Sequence, residues 1–433
     1  MSEKDKISWT ERHKRDSAPQ TVEPDTTPKK RLLFASGRSR KDPIFDTPVS
    51  DIGTLKQDKP LSCGSIDMTF LLVVLGLLLF GVIMAYSASS IYGEQQRDDS
   101  LYYIKRHLMF IMLALAVTVP FVLKARPWFW RFFAIASYGG AVALLLLVLL
   151  IGQSEGDAQR WIQLGPITIQ PSEIAKLAVA MTMALLMTKY EKQIMSDHKF
   201  GGNFRYGVLL PGACMGLIVL LVAAERHISG VMIICMIGAA VMLLGGTKMR
   251  WILLLGGAVV VMGTLLIVFS SYADTRLDIW LRIDELDPLG EAWQTLQGLY
   301  AIGSGGLFGL GLGNSRQKFG YVSEPQNDFI FTIICEELGF FGAVAVLLLF
   351  GLLAWRGFQI ASKAPDKFCA LTVYGIVFKT VLQAALNIAV VTNSMPNTGI
   401  SLPFFSSGGT ALAIQIFEMG IVLNISRFSY VDK

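Results

Sequence analysis

Mostly apolar stretches, each about as long as a helix needs to cross the hydrocarbon layer of a bilayer, recur through this chain and leave few folds open to it. A spanning helix takes about 20 such residues. Ten candidates are read from the sequence: 68–88, 107–123, 129–151, 172–188, 206–224, 229–244, 251–271, 329–355, 368–391 and 409–425. They are apolar all round, unlike a soluble helix with one wet face. Hydrophobic residues make up 53% of the chain and charged residues 16%, with mean hydropathy +0.51, so the chain reads as membrane-embedded. The expected fold class is an all-α integral membrane protein with ten transmembrane helices filling residues 68–428.

The net charge of +5 matters less than where the cations fall. Lys124, Arg126 and Arg131; Lys189, Lys192, Lys199 and Arg205; Lys248 and Arg250; and Arg356, Lys363 and Lys367 lie in alternate connections or the helix ends beside them. Cytoplasmic loops carry an excess of Lys and Arg. This set, with the basic tail, is therefore expected inside, with both termini cytoplasmic. Lys105 and Arg106 are the main exception on the other side. Residues 1–67 carry both charge signs, include Lys29-Lys30-Arg31 and Arg38-Ser39-Arg40-Lys41, and have no hydrophobic period. They read as a disordered cytoplasmic tail, with no cleavable signal peptide evident. Cations confined to a tail and short connections argue against a nucleic-acid partner. The cysteines Cys63, Cys214, Cys235, Cys335 and Cys369 form no CxxC pair and read as small packing residues rather than a disulfide or zinc framework.

One connection, 272–327, is too long for a mere connector and is expected to form a large extracytoplasmic loop between helices seven and eight. Trp280, Trp293, Leu296 and Tyr300 give it residues that can pack. A glycine-dense run, Gly303 to Asn314, follows. It is either a packed re-entrant loop or a backbone wall whose N–H groups meet phosphate or sugar oxygens. The loop ends in Glu324-Pro325-Gln326-Asn327-Asp328, which brings a carboxylate to the mouth of a span. Charge at such a boundary is costly, about 2.5–3.5 kcal/mol at a helix centre on the most lenient scale, and usually has a task. Asn314 and Lys318 can fold back beside Asp328. Glu336 and Glu337, roughly 12 Å further along the helix, are expected to pair with an interior cation.

Other polar residues mark the same side. In Gln170-Pro171-Ser172-Glu173, Pro171 suits a first turn and Glu173 a helix N-terminus. Lys176, three residues on, can pair with Glu173 on one face. The two form either a structural ion pair or part of a substrate cavity. Arg160, beside Trp161, is a phosphate clamp or a solvated loop residue. Glu225-Arg226-His227 reads as a solvated turn. Lys379, inside a span, either snorkels or faces an interior cavity as a counter-charge for an anion. Pro, Gly and Ser between Asn393 and Thr410, including Ser406 and Ser407, break the helix and form either a second wall of a site or a connector.

Taken in this order, the motifs resemble the SEDS family (shape, elongation, division and sporulation), whose members include FtsW, RodA and SpoVE. The matching residues are Arg160-Trp161-Ile162, Gln170 to Glu173 with Lys176, Gly309 to Asn314, Glu324 to Phe331 with Glu336-Glu337-Leu338-Gly339, Gln383, Asn387, and Gly399 to Gly409. They span roughly 68–427, and the form around Asp328 is closer to the FtsW and SpoVE branch than to RodA. Two departures stand out. Glu225-Arg226-His227-Ile228-Ser229 replaces a common Gln-Pro-Asp-Leu-Gly, and Ser406-Ser407-Gly408-Gly409-Thr410 replaces Ser-Tyr-Gly-Gly-Ser.

The resemblance implies a peptidoglycan glycosyltransferase of the bacterial cytoplasmic membrane, one that polymerises lipid II with inversion and works with a class B penicillin-binding transpeptidase and other division or elongation proteins. Asp328 matches the family's essential loop carboxylate and is the expected general base. Arg160, Lys176 and Lys318 are candidate cations for the leaving pyrophosphate, and Glu173, Asn314, Ser406 and Ser407 candidate substrate contacts. A divalent cation, magnesium or manganese, fits the chemistry, and no organic cofactor is expected. The rival readings are a lipid II transporter and a division scaffold without chemistry.

Overall fold

A computed structural model describes residues 62–155, 158–165, 167–196, 202–257, 278–283, 285–287, 289–290, 292–407 and 409–429. Among them, nine helices are long and apolar enough to cross a membrane. They are α1 (Met68–Arg97), α2 (Tyr102–Lys124), α3 (Pro127–Ile151), α4 (Pro171–Lys189), α5 (Gly202–Ala224), α6 (Ile228–Gly245), α8 (Ile330–Ser362), α9 (Lys367–Val391) and α10 (Gly409–Ser426). A shorter helix, α7, covers Trp293–Gly305. The apolar runs therefore locate each of these spans to within a few residues at most ends. The expected seventh span, 251–271, falls largely outside the described residues; a helix over 249–257 occupies its start. The expected tail, 1–67, lies outside them except for its last residues.

Those last residues are paired, which corrects the tail boundary. β1 (Ser62–Cys63) runs antiparallel to β5 (Phe428–Ser429), and Gly64 N–H donates to the Arg427 carbonyl at 2.7 Å. Both described ends of the chain thus lie on one face of the bundle. A small sheet accompanies the helices. β2 (Gln153–Glu155), β3 (Ala158–Leu164) and β4 (Ile167–Ile169) form a three-stranded antiparallel sheet between α3 and α4.

Burial separates the helices into a core and a rim. In its most apolar stretch α4 is 83% buried, α10 72% and α9 67%, against 22% for α3, so α4, α9 and α10 form the centre. The sequence of α4 explains its place. Ala175, Ala178, Ala180 and Ala184 are all buried, and small side chains let neighbouring backbones approach closely.

At the face that holds the chain ends, acidic caps lock helix starts to other helices. Asp67 accepts from the Phe70 N–H at 2.9 Å and pairs with Arg356 of α8 at 2.8 Å. Burial alone would raise this carboxyl; the Arg356 bond and the Phe70 N–H hold it below its usual range. Asp366 likewise caps α9 through Cys369 N–H and pairs with buried Arg131 at 2.8 Å.

The glycine-dense run is packed, not open. α8 breaks at Gly339, whose φ is +65°. A break frees carbonyls on one side and N–H groups on the other, and buried backbone groups need partners. The run supplies both. Leu310 and Gly311 N–H bond the carbonyls of Glu336 and Glu337, while the carbonyls of Gly306 and Leu307 accept from Phe340 and Phe341. Gly309 (φ +78°) has no room for a side chain, since a Cβ would lie 2.1 Å from the Glu337 oxygen. The N–H groups of Leu310 and Gly311 therefore serve the fold. The packing side chains also differ from expectation. α7 buries Thr295, Gln297, Gly298, Ala301 and Gly305, while Tyr300 is 57% exposed.

Candidate functional site

Asp328 sits where two loops meet at the end of the bundle opposite the chain ends. It is half-buried, one residue before the cap of α8. Its own carbonyl accepts from Asn387 Nδ2 at 2.7 Å, and the same nitrogen donates to the Ile400 carbonyl at 2.7 Å. Asn387 is fully buried on α9, so one rigid helix holds both the loop before α8 and the loop before α10. Ser406 continues the clamp. Its hydroxyl donates to the Asn327 carbonyl at 2.8 Å and accepts from Leu402 N–H at 2.8 Å. Ser407 bonds the Asn327 side chain and, through its own N–H, the Gln326 carbonyl.

The carboxylate of Asp328 lies over Gly399. A Cβ there would stand 3.2 Å from Asp328 Oδ2, and the φ of Gly399 is +65°. Glu324, Asn393 and Phe404 also have positive φ, at +48°, +54° and +71°. Such backbone is uncommon outside glycine and clusters at functional sites when the surroundings enforce it.

Beneath this mouth lies a buried charge cluster. Lys176 Nζ bonds Glu173 at 2.6 Å and the Gln383 side-chain oxygen at 3.3 Å. Gln383 Nε2 reaches both the carbonyl and the hydroxyl of Ser401 at 3.2 Å. Lys379 Nζ bonds Glu418 at 2.8 Å and lies 4.0 Å from Glu173. Gln415 accepts from Lys379 and donates to Thr380. Two lysines and two glutamates thus balance in charge. A cleft lined in part by Glu173, Gln383, Ser401, Ser406 and Gln415 opens beside them.

A second cluster ties the outer loop to α8. Glu336 accepts from the Ser315 hydroxyl and from the N–H groups of Arg316 and Gln317. Glu337 accepts from Ser87 at 2.7 Å, Ser315 N–H at 3.3 Å and Lys318 Nζ at 3.0 Å.

The expected site residues therefore separate. Asp328, Ser406 and Ser407 come together, with Glu173 and Lys176 linked to them through Gln383. Lys318 does not fold back onto Asp328. Its ammonium is 3% exposed and engaged by Glu337 and the Gly313 carbonyl, so it is a structural partner for Glu337. Asn314 is exposed and bonds the Leu310 carbonyl within its own turn. Arg160 lies on β3 and donates to the Arg226 carbonyl at 2.8 Å, bracing the sheet against the turn between α5 and α6. That turn is not solvated as expected, because Glu225 is 1% and His227 6% exposed. Glu418 was not foreseen. A single carboxylate inside an apolar run is itself the signal, since it demands a partner.

Nine apolar spans among the described residues, a centre of paired charges and a carboxylate held between two loops define a multi-span membrane protein with a candidate site at one end of the bundle. The chain belongs to the FtsW/RodA/SpoVE family, described as cell cycle proteins, whose pattern matches residues 67–431. It is 37% identical over 368 residues to stage V sporulation protein E of Bacillus subtilis, covering 84% of this chain and 97% of that one. It is 35% identical over 370 residues to a probable peptidoglycan glycosyltransferase FtsW of Trichlorobacter lovleyi, covering 85% and 95%. Among solved structures, a chain reported for the structural coordination of polymerization and crosslinking by a peptidoglycan synthase complex superposes with TM-score 0.67 at 25% identity, covering 85% of this chain and 99% of that one. Rod shape determining protein RodA of Thermus thermophilus gives 0.60 at 24% identity, with 85% and 98% covered, and shares the fold.

Proposed function

We propose that this protein is a peptidoglycan glycosyltransferase that polymerises lipid II, with Asp328 as general base. The observation that carries the reading is the clamp on Asp328: Asn387 on one rigid helix fixes the loops on both sides of its carboxylate. The name of the FtsW relative supplies the reaction class. A sugar 4-hydroxyl must lose a proton as it attacks the anomeric carbon, and a positioned carboxylate takes it. With an α-linked donor and a β-linked product the configuration inverts, so one base opposite the leaving group suffices. The leaving pyrophosphate needs cationic stabilisation. Arg160, Lys176 and Lys318 are the candidates: Lys176 and Lys318 already pair with Glu173 and Glu337, and Arg160 donates to the Arg226 carbonyl. Magnesium or manganese belongs to the proposal as a further counter-charge for the pyrophosphate oxygens.

The topology follows the same reading. Lys367 bonds Glu191 and the Gly245 carbonyl, so the end of α6 lies on the face of the chain ends, opposite Asp328. An odd number of crossings must then join residue 245 to residue 328, which supports a tenth span beginning at the helix over 249–257. The cation-rich face is cytoplasmic by its Lys and Arg excess, with both termini on that side and residues 272–327 outside. The membrane is the bacterial cytoplasmic membrane. The partner proposed is a class B penicillin-binding transpeptidase, alongside other division or elongation proteins, and the residues before Ser62 are proposed as this chain's cytoplasmic tail.

The test is polymerisation of lipid II by the purified protein with and without Asp328→Asn. General-base removal is expected to lower the rate by roughly 10²–10⁴-fold while the protein stays folded. Undiminished glycan synthesis by a well-folded Asn variant overturns the assignment, and lipid II flipping in vesicles without polymerisation would favour a transporter instead.

A further inference from the structure

At the face of the chain ends, two kinds of cation are distinguishable. Arg131, Arg356 and Lys367 are engaged by Asp366, Asp67 and Glu191, and Arg427 by the carbonyls of Val122 and Leu123. These hold helix ends together. Lys189, Arg205 and Arg250 are exposed and lie instead against aromatic rings. Their charged groups are 5.5, 5.6 and 5.2 Å from the ring centres of Tyr190, Tyr206 and Trp251.

The rings interlock across the segments that carry the cations. Tyr190 stacks on Tyr206 with centres 4.9 Å apart, and Trp251 meets Phe204 at 4.7 Å. Buried Asn203 braces the three segments from within. It donates to the carbonyls of Ile194 and Gly246 and accepts from Lys248 N–H. The end of α4, the start of α5 and the turn after α6 thus form one shelf. In its described segments, 187–196, 202–209 and 245–251, the acidic residue is Glu191, and Lys367 already holds it.

We propose that this shelf binds the phosphate headgroup of an anionic phospholipid. Three features favour lipid. The shelf lies at the ends of three spans, which is headgroup depth. Its rings are half-buried, as aromatic side chains are at a membrane boundary. Guanidinium groups match paired phosphate oxygens, and clustered juxtamembrane cations attract anionic lipid. The inference is independent of the role of Asp328.

The test is native mass spectrometry of the full-length protein from an equal mixture of phosphatidylglycerol and phosphatidylcholine. The triple variant Lys189→Gln, Arg205→Gln, Arg250→Gln is compared with a charge-matched control, Lys124→Gln, Arg126→Gln, Lys363→Gln, whose residues are exposed at the same face. The wild type is expected to retain phosphatidylglycerol selectively. At about fivefold per cation, the shelf variant should bind it about 100-fold more weakly, while the control changes little. Replacing both arginines by lysine, which keeps the charge but loses the paired donors, should weaken binding by less than the triple variant does. No selectivity in the wild type, or an equal loss in the control, overturns the proposal. Loss of a co-purifying protein rather than lipid from the shelf variant overturns it too and gives the shelf to a protein partner.

Discussion

Two clusters of buried charge sit within this bundle and do different work. The first, Glu173, Lys176, Lys379 and Glu418, joins the three central helices, side chain to side chain. The second, Glu336 and Glu337 with Lys318, spends most of its carboxylate capacity on loop N–H groups and hydroxyls. The first therefore fixes how helices meet, and the second fixes the shape of a loop. Breaking the first should cost stability of the whole protein; breaking the second should loosen one segment and the chemistry beside it.

The largest effect is expected in the helix cluster. Glu418 and Lys379 are 0% and 2% exposed. Removing one partner leaves an uncompensated buried charge, which costs about 3–5 kcal/mol, whereas replacing both by apolar groups is often near neutral. Lys379→Met alone should lower the melting temperature of the solubilised protein sharply. Lys379→Met with Glu418→Leu should recover much of the loss. A double variant no better than the worse single one would show that the pair does not act as a unit.

The loop cluster gives the next prediction. Glu336→Ala strands the Ser315 hydroxyl and the N–H groups of Arg316 and Gln317, at about 1–3 kcal/mol for unmade buried bonds. Hydrogen exchange across 309–318 should accelerate while the protection of α4 and α9 holds. Uniform acceleration throughout the bundle would erase the distinction between the two clusters.

The sequence made the spans legible because an apolar run of this length has few other uses, and it made Asp328 legible because a carboxylate at a span mouth is expensive. It left the pairings hidden. Lys318 and Glu337 are 19 residues apart and Lys379 and Glu418 are 39 apart, and neither distance is a helical period. The glycine run was ambiguous for a related reason. Its N–H groups are taken by carbonyls freed at Gly339, and that break is invisible inside a continuous apolar helix. Glu225 looked solvated because it lies in a charged turn, yet the sheet β2–β4, with Arg160 on its middle strand, approaches that turn.

A smaller effect is expected where the loops close over the carboxylate. Gly399→Ala forces a side chain into left-handed backbone, at about 1–2 kcal/mol, and sets its Cβ 3.2 Å from Asp328 Oδ2. Polymerisation should fall by more than stability alone explains, because the methyl displaces the proposed base. A rate loss matching the stability loss, or none, would mean that the position of the carboxylate over Gly399 is incidental.

The smallest effect tests what happens where buried polar groups are left without the partners both clusters have. Among the described residues, neither carboxyl oxygen of Glu225, nor Nδ1 of His227, has a hydrogen-bond partner. Burial pushes the Glu225 carboxyl up to about 8 from 4.5, against the opposing charge of Arg160. Burial, aided by Lys176 and Arg160, pushes His227 down to about 3 from 6.5. Once unfolded, Glu225 ionises above 4.5, whereas folded it keeps its proton to about 8, so stability falls as pH rises through that window. Unfolded His227 takes a proton below 6.5 and folded His227 does not until about 3, so stability falls as pH drops through that window. The two slopes oppose each other between 4.5 and 6.5, leaving a plateau there and a decline from 6.5 to 8. Glu225→Gln should flatten that alkaline decline, by a few degrees of melting temperature, turn the plateau between 4.5 and 6.5 into a rise with pH, and leave the slope below 4.5 unchanged. Melting curves at fixed ionic strength decide it: if wild type and variant decline in parallel from pH 6.5 to 8, Glu225 does not hold its proton in the folded protein.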